Sequence, residues 1–193
     1  MAGGDGTRGP PGAQARPAGQ HDAPAGRRIG RRTIFNLMGP LANPAHVSRQ
    51  LLGIARPDYA PVFAEALASL GTETAAVVSG EEGLDELSGA GPSVVVKVGA
   101  VALPNRIVPE DAGLPRAPLA EIRGGDPAFN ALALRRLLGG EPSAYRDAVL
   151  LNAAAALVVA EAATDLPDGA QIAAQMLDSG KASALLDAWI AYS

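Results

Sequence analysis

Gln50-Leu-Leu-Gly-Ile-Ala-Arg-Pro-Asp-Tyr-Ala-Pro-Val-Phe-Ala-Glu-Ala-Leu-Ala-Ser-Leu-Gly-Thr-Glu-Thr-Ala-Ala-Val-Val-Ser79 is the stretch that decides the fold. Its opening, Gln50 to Ala55, is a short apolar run that reads as a buried strand. Pro57-Asp58 then opens a helix that runs through Leu70. Val62, Ala66, Leu67 and Leu70 fall on one face of that helix, and Gly71 ends it. Ala75-Ala-Val-Val-Ser79 is a second buried strand, and Gly80 begins a loop. Strand, helix, strand is the order of a right-handed parallel crossover.

The same reading extends in both directions. Ser93 to Val98 and Ala100 to Val108 read as two further strands joined by a turn at Gly99. Beyond Gly125 the chain turns helical. Asp126 caps a helix reaching Leu138, which Gly139-Gly140 stops. Ser143 caps a long Ala-rich helix over residues 144–163. Another helix covers Asp168 to Asp178. A last one runs from Lys181 to Ala191, with Ala182, Leu185, Leu186 and Trp189 on one face. A few strands followed by several helices predict an α/β fold, a mainly parallel sheet flanked by helices. Upstream, residues 1–28 contain no Val, Ile, Leu, Phe, Tyr or Trp. Such a segment buries too little apolar surface to offset its ordering entropy. The expected organisation is a Gly/Pro/Ala-rich disordered tail over residues 1–28 and one domain over residues 29–193.

Composition narrows the chemistry. Aromatics are only 4% of the chain, so the core must be built from Ala, Leu, Val and Ile. With no cysteine, disulfides, thiolate catalysis and Cys-based zinc sites are excluded. His21 and His46 are the only histidines, which argues against a multi-His metal site. A net charge of -4 and only two lysines, Lys97 and Lys181, argue against a nucleic-acid partner. No apolar run is long enough for a membrane span, and no secretory leader is legible. The expected location is the cytoplasm.

Several short segments carry possible chemistry. Arg32-Thr-Ile-Phe-Asn-Leu-Met-Gly-Pro-Leu-Ala-Asn-Pro-Ala45 sets Phe35, Asn36 and Asn43 tightly around Gly39-Pro40 and Pro44. A bland loop needs the glycine and prolines but not these neighbours. Gly83-Leu-Asp85-Glu86-Leu-Ser88 follows the strand ending at Ser79, and sites in parallel sheets form at the carboxyl ends of strands. Two adjacent carboxylates there suit Mg²⁺, a hard ion that takes oxygen ligands. The plain alternative is a solvated acidic loop. Gly124-Gly125-Asp126 reads as a helix cap rather than an anion nest. Gly3-Gly4-Asp5 has neither the strand before it nor the helix after it that a phosphate loop requires. Arg27, Arg28, Arg31 and Arg32 form a basic cluster, suited to a carboxylate or phosphate or simply solvated. Asn152, amid apolar helix positions, reads as a satisfied polar contact between helices.

Taken together, the segments resemble anthranilate phosphoribosyltransferase. The resemblance rests on Arg32 to Pro44, Gly83 to Ser88, Pro109-Glu-Asp-Ala-Gly-Leu114, and Gly124-Gly-Asp126 with Asn130. It continues through Arg146-Asp-Ala-Val-Leu-Leu-Asn152-Ala-Ala-Ala-Ala and Asp178-Ser-Gly-Lys-Ala182, and covers residues 29–193. No single piece is specific, but their order and spacing are. The resemblance implies an incomplete domain of the phosphoribosyltransferase and nucleoside-phosphorylase type. It implies transfer of phosphoribose from phosphoribosyl pyrophosphate to the amine of anthranilate, a step of tryptophan biosynthesis, with Mg²⁺ neutralising the pyrophosphate that leaves. The family's metal-binding acidic pair falls on Asp85 and Glu86. The stretch from Phe35 to Pro44, with Asn36, Gly39, Pro40 and Asn43, would line the anthranilate side. Gly26 stands where the family has an arginine for anthranilate's carboxylate, and the adjacent Arg27 is expected to take over part of that grip. The family usually dimerises.

Two family segments have no counterpart: a glycine-rich phosphate loop of the Gly-Thr-Gly-Gly-Asp type, and Lys-His-Gly-Asn-Arg. Binding a dense anion such as phosphoribosyl pyrophosphate needs loop N–H groups and cations. The isolated chain is therefore expected to be inactive, with no residue assigned a catalytic role. Its expected partners are a second copy or the missing half. The alternative is a non-catalytic remnant or a partner-dependent interaction protein.

Overall fold

The computed structural model describes residues 47–192, together with Leu41. The chain divides into two units, Met1–His46 and Val47–Ser193, and the fold below is that of the second. The strands are β1 (Arg49–Gly53), β2 (Thr74–Gly80), β3 (Ser93–Val98) and β4 (Arg106–Ile107). Between β1 and β2 lies helix α1 (Ala60–Ser69), entered through a 3-10 turn at Pro57–Tyr59. After β4 come α2 (Pro127–Leu138), α3 (Ala144–Val159), α4 (Leu166–Asp178) and α5 (Lys181–Tyr192).

The α/β class read from the sequence holds. The sheet order is β1-β2-β3-β4, but among the described residues the sheet is mixed rather than mainly parallel. β1 and β2 are parallel, with Leu51 beside Ala76 and Gly53 beside Val78. β2 and β3 are antiparallel, as are β3 and β4. The physical reason lies in the connections. A parallel pair needs a long crossover, and α1 supplies it. Residues 81–92 contain no helix, so the chain turns back beside the strand it has just left.

Strand β2 is buried at every position, as a central strand covered on both faces must be. Its alternate residues point to opposite faces. Ala76 and Val78 join Val95, Ile107, Leu151, Ala154, Ala155 and Val158 in the main core, so this face is covered by α3. Small residues let the helices behind the sheet approach closely. A Cβ on Gly169 of α4 would sit 2.8 Å from the Ala154 backbone of α3. Aliphatic side chains and alanine therefore fill the interior, as the shortage of aromatics requires.

Two expected helix caps hold, while the helix expected from Asp168 starts at Leu166 and the one expected to reach residue 163 ends at Val159. Asp126 accepts a hydrogen bond from the Phe129 N–H at 2.8 Å, and Ser143 accepts one from Arg146 N–H at 3.1 Å. Each cap satisfies an otherwise orphaned donor and contributes about 1 kcal/mol. Three further expectations are corrected. The strand expected over Ala100 to Val108 shrinks to Arg106–Ile107. The buried face of α1 is Ala60, Phe63, Ala64 and Leu67, whereas Val62 and Leu70 are exposed. Leu185 and Trp189 of α5 are also exposed rather than packed.

Candidate metal-binding loop

The acidic loop leaves the carboxyl end of β2 and returns at β3. Its turn is tight: Gly83 N–H donates to Gly80 O at 2.9 Å, and Gly80 N–H donates to Leu84 O at 2.9 Å. Gly83 has φ +93°, the left-handed region where a side chain is costly. Four carboxylates lie within six positions, Glu81, Glu82, Asp85 and Glu86, yet they have different surroundings. Glu81 is gripped by Arg106, whose Nε and Nη2 donate to its two oxygens at 2.8 and 3.2 Å. That hydrogen bonding holds the Glu81 carboxyl below its ordinary value. Glu82 accepts the hydroxyl proton of buried Ser88. Ser88 Oγ in turn accepts from Ala90 N–H, and Ser93 Oγ accepts from Ser88 N–H at 2.8 Å. Asp85 and Glu86 remain at the exposed turn of the loop.

Three contacts hold that turn from behind. The first is Leu87, whose side chain is fully buried in the main core. The second is Asn152 of α3, which pairs with the Leu87 backbone in both directions: Leu87 N–H donates to Oδ1 and Nδ2 donates to Leu87 O, each at 2.9 Å. The third is Gly53 at the end of β1. A Cβ there would lie 1.8 Å from Asp85 O. Sequence reasoning placed Asn152 between helices, but it ties a helix to the loop. It passed over Gly53, and the loop that crowds Gly53 is remote in sequence.

The pair suits a hard divalent cation within limits. Two carboxylates present oxygen donors to solvent, and no group of three or more His, Asp or Glu side chains that could hold an ion occurs among the described residues. Mg²⁺ is commonly held by one or two carboxylates plus waters and substrate phosphates, so two ligands are compatible with it. Asn36, Gly39, Pro40, Asn43 and Arg27, the residues expected to bind substrate, lie outside the described residues. The Gly124-Gly125-Asp126 segment is a helix start, as expected. It borders an open depression of about 420 Å³ that Arg123, Phe129, Asn130 and Tyr145 also line.

Partial burial, followed by the neighbouring Asp85 charge, pushes the Glu86 carboxyl above its ordinary value. The folded state therefore holds the Glu86 proton more tightly than the unfolded chain does. This weakens the fold above the raised folded value, and the penalty is lost as pH falls through it to the ordinary 4.5. Glu86→Gln is accordingly expected to raise the unfolding midpoint at pH 7, with the gain shrinking to nothing below pH 4.5. Thermal unfolding of both proteins across that range checks it. An equal gain at all pH values would mean that packing, not charge, is responsible.

Comparison with known proteins gives the family. A family model described as glycosyl transferase family, a/b domain, matches residues 12–183. The anthranilate phosphoribosyltransferase of Sphingopyxis alaskensis is 61% identical over 181 residues, or 91% of this chain and 53% of that protein. That of Novosphingobium aromaticivorans is 56% identical over 170 residues, 87% of this chain and 51% of its own length. Among solved structures, the anthranilate phosphoribosyltransferase of Thermus thermophilus superposes with a TM-score of 0.81 at 42% identity, covering 91% of this chain and 52% of that one. The Saccharomyces cerevisiae protein in complex with PRPP and Mg superposes with a TM-score of 0.78 at 28% identity, covering 86% of this chain and 49% of the yeast chain. The chain thus spans about half the length of the relatives it matches. It belongs to the glycosyl transferase family, a/b domain.

Proposed function

We propose that this chain supplies the metal-binding side of a phosphoribosyl transfer site that joins phosphoribosyl pyrophosphate to anthranilate in tryptophan biosynthesis. The observation that carries the reading is the acidic turn at Asp85 and Glu86, whose flanking carboxylates are engaged while these two face solvent. In this reading the anthranilate nitrogen forms the new bond to ribose carbon, the bond from that carbon to pyrophosphate breaks, and the nitrogen gives up one proton to solvent. Mg²⁺, when bound, supplies positive charge to the departing pyrophosphate. Asp85 and Glu86 would hold the ion on the loop, where it would supply charge to the phosphates. Asn36, Gly39, Pro40 and Asn43 line the anthranilate side in this proposal, and Arg27 meets its carboxylate. The site works in the cytoplasm.

The 193 residues hold no Gly-Thr-Gly-Gly-Asp loop, so the phosphate-binding N–H groups are assigned to a segment outside these residues, since a second copy of them would lack the loop too. Apolar surface supports association: Val62, Leu132, Leu185 and Trp189 are each more than half exposed. The chain alone is then expected to bind PRPP weakly and only with Mg²⁺, and to consume no anthranilate. Calorimetry with PRPP in the presence and absence of Mg²⁺ tests the first point, and loss of anthranilate fluorescence the second. Asp85→Asn should weaken metal-dependent binding by about tenfold or more, the range seen when a metal's protein shell is disturbed. Binding that is independent of Mg²⁺, or untouched by Asp85→Asn, would remove the loop from the site.

A further inference from the structure

We propose that Asn152 is the positioning residue of the metal loop: its carboxamide locks the Leu87 peptide and thereby sets where the Asp85 and Glu86 carboxylates point. The inference rests on the metal-binding role proposed above for those two residues. Asn152 sits on α3, and Leu87 lies 65 residues earlier on the loop after β2. The carboxamide has one acceptor oxygen and two donor hydrogens, and every contact uses the matching group. Oδ1 takes the Leu87 N–H at 2.9 Å, while Nδ2 gives to Leu87 O at 2.9 Å and to Ala148 O at 3.0 Å. The last bond anchors the side chain to its own helix, one turn earlier. The orientation of the amide is therefore fixed by both partners, since a flipped amide would oppose like groups at Leu87.

This pairing differs from an ordinary buried hydrogen bond in its location. Leu87 directly follows Glu86, so fixing its peptide removes freedom from the carboxylate-bearing turn next to it. Helix α3 is a rigid support. Leu151 and Ala154 on either side of Asn152 are buried against the sheet core. The loop's other ties act at different points: Ser88 and Ser93 hold the returning limb, and Arg106 holds Glu81 on the outgoing limb. On the other side the Gly80 N–H holds Leu84 O, a backbone bond, so among the side-chain hydrogen bonds Asn152 is the one that grips a residue adjoining the acidic pair. A metal whose protein ligands number only two depends strongly on their mutual orientation, because few other bonds correct an error.

The test uses Mn²⁺ as a paramagnetic stand-in for Mg²⁺, with binding to the full chain followed by electron paramagnetic resonance. Amide hydrogen exchange at Leu87 is measured in parallel by NMR. Asn152→Leu keeps the side chain's size and removes both polar groups. It is expected to weaken Mn²⁺ binding about tenfold or more and to speed Leu87 exchange by a similar factor. Leu177→Ala, a core truncation in a separate cluster, is the control for general destabilisation: it should leave Mn²⁺ binding at the wild-type value and speed exchange at core amides generally rather than at Leu87 selectively. If Asn152→Leu does not fold, Asn152→Gln carries the same expectation, since the amide survives but is displaced by one methylene. A folded Asn152 variant that binds Mn²⁺ within twofold of wild type overturns the proposal. So does an equal loss of affinity in Leu177→Ala. Mn²⁺ binding that is absent in the wild type, or unchanged in Asp85→Asn, fails at the earlier step: it overturns the metal role of the loop and with it the role of Asn152.

Discussion

Leu87→Ala is expected to lower the free energy of unfolding by about 2–5 kcal/mol, the range for truncating a buried leucine. Leu87 has no exposed surface and belongs to the core that includes Ala76, Val78, Val95, Ile107 and Leu151. Truncation removes apolar contacts and leaves a cavity. Collapse of that cavity is resisted on two sides, since the Leu87 backbone is held by Asn152 and the surrounding helices meet through alanines with little slack. The cost should therefore fall in the upper part of the range. Urea unfolding followed by circular dichroism measures it through the shift in midpoint. Leu84→Ala, on the same loop but only half-buried, should cost much less. If Leu87→Ala and Leu84→Ala prove equal, the loop is not anchored through Leu87.

What the sequence made legible, and what it hid, follows from how local each signal is. The β1-α1-β2 unit was readable because its apolar runs and breakers lie within some thirty consecutive residues. Caps at Asp126 and Ser143 were readable for the same reason, each acting on a backbone N–H three residues on. The face of α1 was not. Ala60 to Ser69 is apolar at nearly every position, so its pattern fits several faces equally well. Phe63, the largest side chain there, decides which one is buried, and only the shape of the sheet shows that it fits. The mixed sheet was not legible: two strands with a turn at Gly99 were read into a mainly parallel sheet, and nothing in residues 81–92 announces that the chain reverses.

The candidate site shows the same division. Asp85 and Glu86 were marked by composition and by their position after a buried strand. Asn152 was visible only as a polar residue in an apolar helix, because its partner lies far away in sequence. The loop's local ties, Ser88 to Glu82 and to Ser93, lie within a few residues, but its ties to Asn152 and Arg106 span 65 and 25 residues. Hydrogen bonds across such separations require the fold to be known first.

Gly53→Ala is the change that should most directly dislodge the loop. Within a strand, alanine for glycine would ordinarily stabilise by about 0.5–1 kcal/mol through a smaller loss of chain entropy. Here the new Cβ would sit 1.8 Å from Asp85 O and 2.8 Å from Asp85 C, far inside van der Waals contact. Both obstructing atoms are backbone, and alanine has no rotamer with which to avoid them. Either β1 moves away from β2, breaking its register at Val78, or the Asp85 peptide moves outward against the hold of Asn152. Overpacking of this kind costs about 1–3 kcal/mol, and occasionally more, so the sign of the usual glycine effect is reversed. Moving the Asp85 peptide also displaces its carboxylate. Mn²⁺ affinity should therefore fall about tenfold or more, in company with stability. Gly91→Ala is the matched control: it lies on the same loop, has no heavy atom within 4 Å of a built Cβ and no positive φ. It should leave both the urea midpoint and Mn²⁺ binding at wild-type values. A Gly53→Ala protein as stable as wild type would show that the loop yields at Asp85. If Mn²⁺ binding were then also unchanged, the acidic pair would hold its ion without needing the strand end as a floor.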